Sequence, residues 1–227
     1  MLSRESNRNS LRTSQDDGEC VFQSKDLTLG ASYKSVKNLH FMFSERYKST
    51  LEIFNFVAIK LPSGFLLTPV KISLIDQEAI SYLENSKDEL VKKYLPNAYP
   101  TDIHDAKSKL IENTQRQELR QGVFFCIRPV EDPMPIGYVL LNSPISGSGL
   151  GEWSLDFWIN RRFRKNGIMT TCINRILDYM QKMEVPGIVA NIYPDNLASA
   201  KTLKRTGFVY RQTNKGSGQD LYAQRLN

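Results

Sequence analysis

Histidine and cysteine are scarce in this chain. The two histidines, His40 and His104, stand far apart, so neither a multi-histidine metal centre nor a Ser-His-Asp hydrolase has the side chains it needs. The three cysteines, Cys20, Cys126 and Cys172, form an odd, widely spaced set. That spacing excludes a zinc ribbon or a disulfide framework, and predicts a reducing, cytoplasmic setting with no bound metal. Long apolar runs are missing too: the most apolar stretch, Ile53 to Leu61, is interrupted by Asn55 and Lys60. Neither a signal peptide nor a membrane span is expected. Acidic residues are in deficit, with 24 Asp and Glu against 30 Lys and Arg, for a net charge of +6. The first forty residues are nearly balanced in charge, so the surplus belongs to the remainder and favours an anionic partner.

What is present suits one substantial domain with an extension. The 227 residues are 41% hydrophobic and 24% charged, ordinary values for a globular chain. Residues 1–38 are rich in Ser, Asn, Arg, Asp and Gln without apolar periodicity, which predicts a flexible polar tail. Residues 39–61 gather aromatics such as Phe41, Phe43, Tyr47, Phe54 and Phe56 and are expected to be an ordered extension. The main domain is drawn over 62–227.

Within it, Phe65 to Ile72 reads as a first strand after the Pro62-Ser63-Gly64 turn. Helices are expected from Asp76 to Asn85, from Asp88 to Tyr94, and after an Asp102 N-cap, the last one turning Ala106, Leu110 and Leu119 to a core. Val123 to Ile127 and Ile136 to Leu141 predict an antiparallel hairpin. Glu152 to Ile159 predicts a fourth strand, with Trp153, Leu155, Phe157 and Ile159 on one face and Glu152, Ser154, Asp156 and Trp158 on the other. The spacing of Met169, Ile173, Ile176, Met180 and Met183 predicts a buried helical stripe over 166–183. A fifth strand (Ile188 to Tyr193), a helix (Asn196 to Thr206) and a final hairpin complete the chain.

The segment from Trp158 to Thr170 runs from a strand through a loop carrying Arg161, Arg162, Arg164, Lys165 and Gly167 into that helix. A helix N-terminus offers free N–H groups and a positive dipole end, and basic side chains beside it complete an anion site suited to a pyrophosphate. The same pattern alone also fits a solvated basic turn. Pro194-Asp195-Asn196-Leu197-Ala198-Ser199, followed by Gly207-Phe208, stands beyond the next strand.

Arg164-Lys165-Asn166-Gly167-Ile168-Met169 resembles the (Arg/Gln)-x-x-Gly-x-(Gly/Ala) signature of the GNAT acetyltransferases. Asp195-Asn196-x-x-Ser199 with Gly207-Phe208 is similar to the corresponding stretch of their RimJ/RimL-like branch, which includes ribosomal-protein N-terminal acetyltransferases. Met169 departs from the pattern, where a small residue is usual, and Asp156 stands where glycine is usual. The resemblance implies an α/β fold with a mixed, mostly antiparallel sheet of six or seven strands, helices on both faces, and parallel fourth and fifth strands that splay apart around acetyl-CoA.

It further implies that the backbone from Lys165 to Thr170, with the Arg164 side chain, meets the pyrophosphate, through Asn166, Gly167, Ile168 and Met169. The pantetheine arm pairs with Phe157, Trp158 and Ile159. Asn196 binds that arm near the thioester, and Ser199 protonates the leaving thiolate. From its position in the last helix Lys201 is a candidate contact for the 3′-phosphate or adenine end of the cofactor, or a solvated helix lysine. From the residues alone Asn196 is equally an N-cap and Ser199 a first-turn helix residue. Asp156 and Glu152 are candidate general bases, or ordinary strand polar residues or contacts for the acceptor amine. The acceptor stays open between a protein or peptide α-amine and a cationic small molecule such as an aminoglycoside or polyamine. A catalytically silent CoA-binding module is the alternative of another class. No nucleic-acid-reading motif accompanies the basic loop, and the chain is expected to be a monomer or homodimer.

Overall fold

A computed structural model describes residues 58–62, 64–144 and 152–226. The polar tail (1–38) and most of the extension (39–61) lie outside the described residues. Eight strands form one sheet in the order β1-β2-β3-β4-β5-β6-β8-β7. They are β1 (Ile59–Lys60), β2 (Phe65–Thr68), β3 (Gly122–Pro129), β4 (Gly137–Asn142), β5 (Trp153–Ile159), β6 (Gly187–Ile192), β7 (Val209–Thr213) and β8 (Asp220–Arg225). The helices are α1 (Ile75–Ser86), α2 (Glu89–Tyr94), α3 (Ile103–Glu118), α4 (Ile168–Lys182) and α5 (Leu197–Arg205).

The six or seven strands expected become eight. The additional one is the two-residue β1, paired antiparallel with β2 through Ile59↔Leu67, so the sheet starts just ahead of the boundary drawn at 62. Neighbouring strands are antiparallel except β5 and β6, which run parallel and pair only at Trp153↔Ile188 and Ser154↔Val189. Beyond Ser154 the two strands part, as the resemblance implied. The last strand, β8, inserts beside β6 and leaves β7 at the edge.

Alternation along the strands separates two cores. Val123, Phe125, Ile127, Val139, Leu141, Trp153, Leu155 and Ile159 pack with the α4 stripe of Met169, Ile173, Ile176 and Met180, and with Leu203 of α5. Phe124, Cys126, Tyr138 and Trp158 point the other way, to Ala79 and Tyr82 of α1, Val91 of α2, and Ala106 and Leu110 of α3. Helices therefore cover both faces, and each strand side chain belongs to one of them.

Several local expectations are corrected: the strand expected from Phe65 to Ile72 ends at Thr68, and Ile72 is exposed at the start of a 3-10 turn. Leu119, expected to face the core, is 64% exposed because α3 ends at Glu118 and Leu119 is its C-cap. β5 begins at Trp153, so Glu152 is an exposed bend residue rather than a strand partner of Asp156. The α4 stripe holds, but the helix starts at Ile168, because Gly167 takes a left-handed φ of 75° that ends the loop.

A buried ion pair fastens α1 to the sheet. Arg128 and Glu78 are 1% and 0% exposed and meet at 2.7 Å. Arg128 Nε donates to Thr68 Oγ1 at 2.6 Å, and Glu78 Oε1 accepts from the Lys71 amide at 2.9 Å. Such pairing is what lets a charge stay out of water.

Candidate active site

The parting of β5 and β6 fixes where the candidate residues lie. Phe157, Trp158 and Ile159 occupy the stretch of β5 that no longer pairs with β6. Trp158 is buried and donates from Nε1 to Ser86 Oγ at 2.9 Å, which holds this part of β5 against α1. Phe157 is half-buried and packs towards the α4 side.

The loop after β5 is built to present α4. Asn160 Oδ1 accepts from the Arg162 amide at 2.9 Å, shaping a single 3-10 turn over Arg161–Phe163. Lys165 and Gly167 both take left-handed backbone, with φ of 67° and 75°. Helices α2, α3 and α5 are capped by the side chains of Asp88, Asp102 and Asn196. No side chain caps α4. Its first backbone bond runs from the Thr171 amide to Gly167 O at 3.0 Å, so the amides of Gly167, Ile168, Met169 and Thr170 have no intrahelical acceptor.

A Cβ placed on Gly167 would meet nothing within 4 Å, so the space beside Gly167, at the start of these amides, is open. Arg161, Arg162, Lys165 and Asn166 are exposed, and no described carboxylate forms an ion pair with the first three. Uncapped amides, open space and unpaired basic side chains fit a phosphate group in chemistry and in room. Met169 is buried in the core, 8% exposed, and so leaves the loop free although a small residue is usual there.

Arg164 has other work. Its Nε donates to Ile159 O at 3.0 Å, and its guanidinium lies 3.1 Å from Asp88 Oδ2. It anchors the loop to β5 and α2, and its side chain is engaged where an incoming phosphate was expected to be met.

Across the gap, Asn196 caps α5: its Oδ1 accepts from the Ser199 amide at 3.2 Å. No described group accepts from Asn196 Nδ2 and none bonds the Ser199 hydroxyl, and both residues are half-buried. The capping role is therefore realised and leaves both functional atoms available. Lys201 is exposed in the second turn of α5.

Asp156 lies two residues past the last β5–β6 pair, on the α1–α3 face of the sheet. Burial pushes its carboxyl above the ordinary carboxylate value, opposed by a hydrogen bond from Asn142 Nδ2 at 3.2 Å and by the positive charge of Arg116. Ser199 belongs to a helix on the opposite face. The parted strands thus have a carboxylate on one side and an amide and a hydroxyl on the other.

Helix α2 bridges the two loops. Asp88 at its start holds Arg164 of the loop after β5, and Lys93 at its end holds Asp195 of the loop after β6, with Tyr94 beside Tyr193 at a ring-centroid distance of 5.9 Å. Sequence reasoning missed this helix as part of the site, along with Arg116 and Asn142. Their partners lie far away in the chain, and no local pattern marks them.

The chain belongs to the GNAT acetyltransferases: the acetyltransferase (GNAT) domain family matches residues 65–209. Among solved structures it is similar to RimL, a ribosomal L7/L12 α-N-protein acetyltransferase in complex with coenzyme A. That match has 16% identity and a TM-score of 0.63, and covers 74% of this chain and 97% of RimL. It is also similar to the ribosomal-protein-S5-alanine acetyltransferase of Vibrio fischeri, at 18% identity and a TM-score of 0.59 over 76% of this chain and 98% of that one. The microcin C7 self-immunity acetyltransferase MccE, bound to acetyl-CoA and AMP, matches at 18% identity and a TM-score of 0.60 over 74% and 95%. No curated protein sequence matches the chain.

Proposed function

We propose that this protein is an acetyl-CoA-dependent N-acetyltransferase of the RimJ/RimL-like branch, and that its acceptor is a protein or peptide α-amine. The observation that carries this reading is the uncapped, open N-terminus of α4 beside the parted β5 and β6. Residues 62–227, joined by β1 (Ile59–Lys60), make up the catalytic domain, and the residues ahead of β1 a tail and extension. Buried, unpaired Cys126 and Cys172 are consistent with a cytoplasmic setting.

The amides of Gly167, Ile168, Met169 and Thr170, with Lys165 and Asn166 beside them, hold the pyrophosphate, and Arg164 keeps their loop in shape. Phe157, Trp158 and Ile159, in the part of β5 that β6 no longer pairs, lie along the pantetheine arm, with the Ile159 carbonyl already held by Arg164. Asn196 Nδ2 orients that arm near the thioester, and Lys201 lies towards the nucleotide end. On the acceptor face Asp156 takes a proton from the ammonium, so that a neutral nitrogen attacks the thioester carbonyl. As the C–S bond breaks, the Ser199 hydroxyl gives its proton to the leaving thiolate and regains one, by way of solvent, from the attacking nitrogen, which sheds its second proton as it becomes the amide. Acetylated amine and free CoA result. Glu152, exposed ahead of β5, serves at most as a distant contact for the acceptor.

A small-molecule amine is the second reading for the acceptor. Asp156 favours it, because a carboxylate on the acceptor face attracts a polyamine or aminoglycoside cation. Free-thiol release from acetyl-CoA, followed against N-terminal peptides, polyamines and aminoglycosides, tests both. Release with peptides alone supports the first reading and with polycations alone the second. Acetyl-CoA binding with no release from any acceptor contradicts both.

A further inference from the structure

Three polar side chains from three elements meet on the acceptor face. Arg116 of α3 donates to Asn142 Oδ1 at 2.7 Å, and Asn142, the last residue of β4, donates from Nδ2 to Asp156 Oδ2 at 3.2 Å. Asn142 is 9% exposed and Arg116 half-buried. No described carboxylate forms an ion pair with Arg116.

The donor inventory gives this chain one direction. A guanidinium only donates, so the Asn142 atom facing Arg116 is its oxygen, and its other end must be the NH2 group. That NH2 only donates as well, so Asp156 Oδ2 accepts from it, a role a carbonyl or carboxylate oxygen fills better than the oxygen of an O–H. A proton arriving at Asp156 is therefore better placed on Oδ1, to which no described residue donates.

We propose that Arg116 and Asn142 are positioning residues that assign the two oxygens of Asp156, reserving Oδ2 for the fold and Oδ1 as the atom that takes the proton of the acceptor amine. The proposal rests on the reading of Asp156 as base. Asn142 prevents the carboxyl from rotating. Arg116 locks the Asn142 amide against flipping and offsets, by its charge, part of the cost of keeping a carboxylate out of water. Arg116 from α3 and Asn142 from β4 are the groups that act on this carboxyl, and no other described charged side chain does so.

The test is a carbon-detected NMR titration of the Asp156 carboxyl in the full-length protein, assigned with Asp156→Asn and repeated in Arg116→Gln and Arg116→Lys. Removing the positive charge favours the neutral acid, so the midpoint in Arg116→Gln moves to higher pH and Arg116→Lys restores it in part. In turnover, Arg116→Gln loses about tenfold more kcat/KM at pH 6 than at pH 9, with the KM for acetyl-CoA unchanged. A midpoint and an acid limb identical to wild type in Arg116→Gln would overturn the positioning role. Wild-type turnover by Asp156→Asn would instead overturn the base reading beneath it, and the two failures are told apart because the titration needs no acceptor.

Discussion

Lys93 Nζ lies 2.6 Å from Asp195 Oδ2, joining residues 102 positions apart across the mouth of the parted strands. The contact holds the Lys93 ammonium above and the Asp195 carboxyl below their ordinary values, each through the hydrogen bond to the other. Together with Asp88 and Arg164 it makes α2 a brace between the loop that opens α4 and the loop that carries Asn196.

Both members of the Lys93–Asp195 pair are more than half exposed, so solvent screens it and it contributes little to stability. Its effect is on order in the loop. Lys93→Met is expected to leave the melting temperature unchanged and to raise the KM for acetyl-CoA several-fold, an effect that disappears when wild type and variant are compared at high salt. Steady-state kinetics at two ionic strengths checks this.

The α4 stripe and the alternation of β5 were legible in the sequence because their apolar residues recur at the period of the element. Met169, Ile173, Ile176 and Met180 all reach the core. Leu119 misled because periodicity carried one residue past a helix end has no neighbour to pack against. The place of β8 between β6 and β7, and the pairing of Ile59 with Leu67, depend on contacts distant in sequence, which local spacing does not encode. For the same reason the loop at Gly167 and the cap at Asn196 could be read from motifs. The brace of α2 and the Arg116–Asn142–Asp156 chain could not, since each joins residues from separate elements.

Arg128 and Glu78 exclude water from their ion pair. Removing one partner leaves the other charge buried and unpaired, so Glu78→Ala is expected to cost about 3 to 5 kcal/mol in urea denaturation. A cost below about 1 kcal/mol, the range of an exposed pair, would contradict this account of how α1 is fastened.

Ionised Asp156 opposes folding. Its folded value is raised by burial, so the folded state binds a proton more readily than the unfolded chain, and stability falls as pH rises from the unfolded value through the folded one. Asp156→Asn is therefore expected to melt above wild type at pH 7.5, with the gap closing near pH 4. Thermal unfolding at the two pH values decides it. The same variant is expected to lose about a hundredfold in kcat.

Ser199→Ala and Asn196→Ala separate chemistry from capping. Ser199 uses its amide for the cap, so losing its hydroxyl is expected to lower kcat by about tenfold to a hundredfold with unchanged stability. Asn196→Ala also removes the cap on α5 and is expected to cost about 1 kcal/mol of stability. Paired kinetics and denaturation curves distinguish the two.

The most direct test is a calorimetric titration of acetyl-CoA into wild type and Gly167→Glu. Gly167 has open space over it but takes a left-handed φ of 75°, so any side chain there is strained by about 1 kcal/mol or more, and glutamate adds a negative charge where the pyrophosphate is held. The account predicts one-to-one binding to wild type and at least a hundredfold weaker binding to a folded Gly167→Glu. No binding to wild type, or equal binding to both, would contradict it.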